Sequence, residues 1–155
     1  MRLLPLLLAL PLCAQQFPSI EGQNLRDHGV KLPDGQAEAV VIGFTHASQN
    51  QTKAWAMRIA GQVNTYSIAV LEDVPRLMRG MVSHGMKSGV PDAQREHFVR
   101  VYQGEKELKQ AVGFSAPDDA YVVVLDKSGA IRWKYHGPVT DSAVEQLKAA
   151  MTSGL

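Results

Sequence analysis

The sequence predicts an α/β fold: a three-layer sandwich with a mostly parallel central sheet, an antiparallel C-terminal hairpin and helices on both faces. Three observations carry this. Apolar runs of strand length alternate with helical patterns, in the order strand, helix, strand, helix, strand, helix, strand, strand, helix. Such alternation builds a parallel sheet covered on both sides. The run Ala39-Val40-Val41-Ile42-Gly43 is rich in β-branched residues and reads as a buried central strand. Two late strands flank Lys127-Ser128-Gly129, a turn that closes a hairpin and adds an antiparallel edge.

The bulk properties set limits on function. The chain has 155 residues, of which 45% are hydrophobic, which suits one domain of ordinary size. The formal net charge is +1 and no block of like charge stands out, so the electrostatic footprint of a nucleic-acid binder is missing. Met1-Arg2 is a short positive stretch, Leu3 to Leu12 is apolar, and Ala14 is small. Residues 1–14 are therefore read as a signal peptide, too short to span a bilayer, and the protein as secreted or periplasmic. The alternative for this segment is a lipid anchor on Cys13, against which the bulky Leu12 speaks.

Cys13 is the only cysteine. Removal with the signal peptide or acylation both leave no free thiolate, and the thiolate is the nucleophile of disulfide exchange and peroxide reduction. Taking Arg2 away leaves 15 basic residues against 15 acidic ones. No cofactor is expected.

The elements follow in order. Residues 15–27 are polar and irregular and are expected to form a flexible leading segment, with the domain proper over 28–152. His28 to Leu32 reads as a short edge strand closed by a Pro33-Asp34-Gly35 turn. The central strand leads through a polar loop into a helix from about Gln49 to Gln62, with Trp55, Ile59 and Val63 on its apolar side. Tyr66 to Leu71 is a strand. A helix runs from about Val74 to His84, with Val74, Leu77, Met78, Met81 and Val82 at core-stripe spacing, and Gly85 to Pro91 is a loop. His97 to Tyr102 alternates as a half-buried strand does, and Glu105 to Val112 is a short helix. Ala120 to Asp126 and Ala130 to Tyr135 form the hairpin, across which Asp126 and Arg132 can pair as a surface ion pair worth under about 1 kcal/mol. The last helix starts near Thr140 and carries Val144, Leu147 and Met151. Trp55 and Trp133 are expected to be structural.

The strand, polar loop and helix around Phe44 resemble the first active-site unit of the thioredoxin-like fold. In that family a Cys-x-x-Cys opens the helix. The corresponding positions here are Gln49, Asn50, Gln51 and Thr52. The family's cis-proline precedes the strand that ends near Asp126, and its place falls at Ala120, where a trans bond is expected because a cis bond before a non-proline costs several kcal/mol. The resemblance thus implies the scaffold without the redox groups. Tyr121 to Asp126, Ile131-Arg132-Trp133 and Gly137, with Phe44 and Trp55, further resemble the mitochondrial ATP-synthase assembly factors of the ATP-ten family. That resemblance implies protein assembly or chaperoning without catalysis.

The partner is then expected to be another envelope protein or an extended peptide. Open α/β sheets bind at the carboxyl ends of their strands. The loop with His46, Gln49 and Asn50 and the loop with Phe114, Pro117 and Asp118 are the expected docking face, Phe114 serving as apolar anchor and main-chain hydrogen bonds holding an extended segment. His46 lacks an evident triad partner, and Asn50-Gln51-Thr52 fits a glycosylation acceptor by chance. Two other readings stand beside this one. One is a thioredoxin- or peroxiredoxin-type thiol oxidoreductase or antioxidant, opposed by the cysteine count. The other is a periplasmic copper carrier using Met78, Met81, His84 and Met86, soft ligands that suit Cu(I). The core-stripe spacing opposes it, and no metal site is expected.

Overall fold

The computed structural model describes residues 14–152. Cys13 and the rest of the expected signal peptide before Ala14 lie outside them. The elements are β1 (Ile20–Asn24), β2 (Gly29–Leu32), β3 (Ala39–Gly43), α1 (Gln49–Ile59), β4 (Thr65–Val70), α2 (Arg76–Gly89), β5 (Phe98–Val101), α3 (Glu105–Val112), β6 (Tyr121–Leu125), β7 (Ile131–His136) and α4 (Asp141–Thr152). The seven strands form one sheet in the order β2-β1-β5-β4-β3-β6-β7. The predicted α/β sandwich is therefore present, with helices on both faces.

Parallel pairing is confined to the centre, β3 with β4 and β4 with β5. These are the joins that α1 and α2 cross over, as parallel neighbours require. The predicted C-terminal hairpin is there, β6 lying antiparallel to both β3 and β7. The opposite edge is antiparallel as well, through β1 with β2 and with β5. The sheet is thus more mixed than the sequence predicts.

That second edge corrects the reading of residues 15–27 as flexible. They contain β1, and Phe17, Ile20 and Leu25 are buried. The stretch looks irregular because its few apolar residues are isolated, yet each falls where the chain meets the core. Main-chain pairing and Arg100 do the rest. The guanidinium of Arg100 is buried and donates to the Asn24 carbonyl at 2.7 Å and to the Asp27 carboxylate at 2.8 Å. At Gly22 a Cβ would collide with the Arg100 carbonyl of β5, so the close approach of the two backbones requires glycine.

Two apolar cores sandwich the sheet. On one face Val40, Ile42, Ile68, Val99, Tyr121 and Val123 meet Leu108 and Val112 of α3. On the other, Ala39, Val41, Val122 and Val124 meet Trp55 and Ile59 of α1 and Val144 and Leu147 of α4. Trp55 is fully buried and its indole N–H donates to the Gly137 carbonyl at 2.9 Å. Trp133 stacks on Tyr135 against this second core. A bulge shifts the register between Val124 and Leu125, so Ile131 packs into the first core instead. Asp126 and Arg132 pair at 2.8 Å as predicted.

The second core covers only half of its face. β4 alternates, with Ile68 and Val70 in the first core and the half-buried Thr65 and Ser67 on the other side. Over this stretch α2 differs from prediction. It runs on through Gly85 to Gly89, and its apolar stripe is not a core stripe: Leu77, Met78 and Met81 are exposed, and Ser83 is its buried residue. Polar contacts hold it instead. Ser83 meets Tyr102 hydroxyl to hydroxyl at 3.3 Å, Arg79 lies 4.5 Å above the Tyr102 ring, and Lys87 pairs with Asp27 at 2.7 Å.

Candidate functional site

The candidate site starts where β3 ends. Gly43 is followed by Phe44, Thr45 and a 3-10 turn, His46–Ser48, that leads into α1. A Cβ on Gly43 would stand 2.8 Å from the Ser48 hydroxyl, so glycine lets the turn fold back over the strand end. The Thr45 hydroxyl accepts from the Ser48 N–H at 3.2 Å, and the buried Ser48 hydroxyl donates to the Thr45 carbonyl at 2.7 Å. The first turn of α1 is Gln49, Asn50, Gln51 and Thr52, with Gln49 and Asn50 exposed.

The two loops expected to face each other are side by side and joined. The Thr45 hydroxyl is 3.1 Å from both the Pro117 carbonyl and the Asp118 carboxylate. Gln51 reaches across with its whole amide: its oxygen accepts from the Ala120 N–H at 2.9 Å and its nitrogen donates to Asp119 at 3.4 Å. Asp119 also meets His136 at 2.9 Å. The bond before Ala120 is trans, as predicted; among the described residues the cis peptide is Leu32–Pro33. Gln51 thus occupies the main-chain donor that an incoming strand would use.

The structure divides the predicted docking residues. Phe114 is not a free anchor. It is half-buried in an aromatic cluster, 5.0 Å from Phe44 edge-on and 5.7 Å from Tyr121 stacked, with the Lys109 ammonium 4.5 Å above it. It borders a hollow of about 650 Å³ shared with Glu72, Asp73, Glu105 and Lys106. His46 and Gln49 open on the other side, at the mouth of a groove of about 790 Å³ between α1 and α2. Pro117 and Asp118 are exposed on the joined loops. The four Met/His residues all lie on α2, where Met86 lines the groove and Met78, Met81 and His84 are exposed.

The groove has α1 for one wall, with Lys53, Ala56, Met57 and Ala60, and α2 for the other, with Val82, Gly85, Met86 and Gly89. Thr65, Ser67 and Phe98 contribute its floor. Among the described residues no carboxylate lines it. The sequence reading did not find this groove. The signal was present in β4, where Thr65, Ser67 and Ala69 alternate with Tyr66, Ile68 and Val70: one face of that strand has nothing large with which to fill a core.

Comparison with known proteins places this geometry. The fold is similar to a peroxiredoxin-like protein from Aquifex aeolicus, with a TM-score of 0.56, 16% identity and coverage of 88% of this chain and 86% of that one. It is similar to the thioredoxin domain of a thiol-disulfide oxidoreductase from Bacteroides vulgatus, with a TM-score of 0.56, 14% identity and coverage of 90% and 97%. It is also similar to a member of the Sco family of cytochrome c oxidase assembly proteins, with a TM-score of 0.53, 13% identity and coverage of 90% and 95%. These likenesses define a thioredoxin-like fold. A family model described as ATP10 protein matches residues 13–153, and the chain belongs to that assembly-factor family. No curated protein matches the chain in sequence.

Proposed function

We propose that this protein is an exported assembly factor that binds a segment of another envelope protein on a thioredoxin scaffold without thiol chemistry. The observation that carries the reading is the state of the loop at the head of α1. Where the resembled fold places its reactive pair, this chain has Gln49 and Thr52, and Gln51 between them is bonded across to Ala120. The loop is built to hold its shape and offers no sulfur. Membership of the ATP10 family supports a protein as the ligand. The apolar start of the chain supports export, and the described residues contain no helix long and apolar enough to cross a membrane. The joined loops favour the adjoining groove over a slot between them, with His46 and Gln49 at its mouth.

The test is affinity capture from the native envelope. The intact protein should retain a discrete partner, and His46→Ala with Gln49→Ala should weaken capture while leaving the melting temperature unchanged, because both side chains are exposed. Phe114 is left alone in this test, since its removal would disturb the Phe44–Tyr121 cluster. Capture by the double variant equal to that of the intact chain would place the binding surface elsewhere.

A further inference from the structure

The apolar side of α2 points to the occupant of the groove. Two neighbouring rows at four-residue spacing run along this helix, Leu77–Met81–Gly85–Gly89 and Met78–Val82–Met86. Their upper ends are bare: Leu77 is 100% exposed, Met81 67% and Met78 45%. Their lower ends form a groove wall, and Met57 on the opposite wall is 60% exposed. Exposed apolar residues scattered singly need no explanation, but these form one continuous strip with a groove at its end. Methionines on both sides give a surface that adapts to an apolar partner.

Charge selects among occupants. α2 carries Arg76, Arg79 and Lys87 and neither Asp nor Glu, and Lys53 stands on the facing wall. Arg79 lies over Tyr102 and Lys87 is paired with Asp27, whereas among the described residues Arg76 and Lys53 make no ion pair. A second copy docking through this face would set α2 against α2, like charge against like. A lipid surface would reach Leu77 and Met81 but not the floor at Ser67 and Phe98, because the groove is concave. Building on the protein-binding function proposed above, we infer that the groove takes an amphipathic helix of the partner, its apolar stripe seated between α1 and α2 and its flanks carrying carboxylates toward Lys53 and Arg76.

The probe is a synthetic helix of about five turns (~18 residues), with leucines at three- and four-residue spacing and glutamates on both flanks. A control peptide has lysines for the glutamates. Titration calorimetry on the full chain should show the glutamate peptide binding at least about tenfold more tightly than the control. Met57→Glu with Met81→Glu should abolish binding at an unchanged melting temperature, and Lys53→Glu with Arg76→Glu should reverse the preference between the peptides. Equal affinity for both peptides, or binding that survives the methionine substitutions, overturns the inference. So does retention on phosphatidylglycerol vesicles, or a dimer in sedimentation, that is lost in the methionine variant while neither peptide binds. If envelope capture persists in the methionine variant, this inference fails and the proposed function stands. If no bait captures a partner, the proposed function itself fails.

Discussion

At the scale of single residues, Trp55 is the clearest case of sequence dictating structure. It sits on the apolar stripe of α1, is fully buried, and finds in Gly137 the acceptor its N–H needs. Trp55→Ala should cost roughly 3–5 kcal/mol, read as a lowered denaturant midpoint; Trp55→Phe should cost less, leaving mainly the Gly137 carbonyl unpaired. Asp126 gives a pH prediction. The Ser128 hydroxyl at 2.6 Å, the N–H groups of Ala130 and Ser128, and Arg132 hold its carboxyl down to about 2. A carboxyl lower in the folded than in the unfolded state stabilises the fold above the unfolded value of about 4 and loses that contribution as pH falls toward 2. Asp126→Asn should therefore flatten the loss of stability between about pH 4 and 2, measured by thermal unfolding across that range. Gly22→Ala should destabilise strongly and should lift β1 from β5, visible as faster amide exchange at Leu25, whose N–H donates to the Arg95 carbonyl just ahead of β5.

At the scale of elements, legibility followed periodicity. The β-branched run of β3, the hairpin of β6 and β7 and the stripes of α1 and α4 were readable because each packs one regular face into a core. β1 was not readable, because its pairing with β2 and β5 is made by main chain and by the distant Arg100. α2 was misread for the opposite reason. Its spacing is that of a core helix, but nothing in a helical stripe says whether the surface it faces belongs to the same chain. The loop pair was legible as neighbours, since the resembled fold brings them together, but the Gln51 bridge depends on side-chain reach that spacing cannot supply. Gln51→Ala should free the Ala120 N–H and loosen both loops, read as faster amide exchange at Ala120, with a stability loss of about 1 kcal/mol. Gln49→Cys with Thr52→Cys should yield at most weak disulfide reduction: the start of α1 favours a thiolate, but the partner loop stays tied to Gln51.

At the scale of the whole molecule, a thioredoxin-like sheet carries two half-independent surfaces. The half built from β3, β6, β7, α1 and α4 is a closed apolar core around Trp55, Ile59, Val144 and Leu147. The half over β4 and β5 is roofed by a helix that polar contacts hold off the sheet, and the gap is the groove. On the proposed function, this division gives a fold shared with thiol oxidoreductases a use in binding: the closed half positions the head of α1, and the open half offers the groove to a partner. Reduction of insulin disulfides by the purified protein should therefore not exceed buffer.

The most direct test of binding at this site is photo-crosslinking from the head of α1, with a photoreactive amino acid replacing Gln49 and, as control, Lys106 on the far hollow. The account predicts one discrete protein adduct from position 49 in the native envelope, unchanged by thiol reductant and weak or missing from position 106. An adduct from position 106 alone, or one that reductant dissolves, would contradict it.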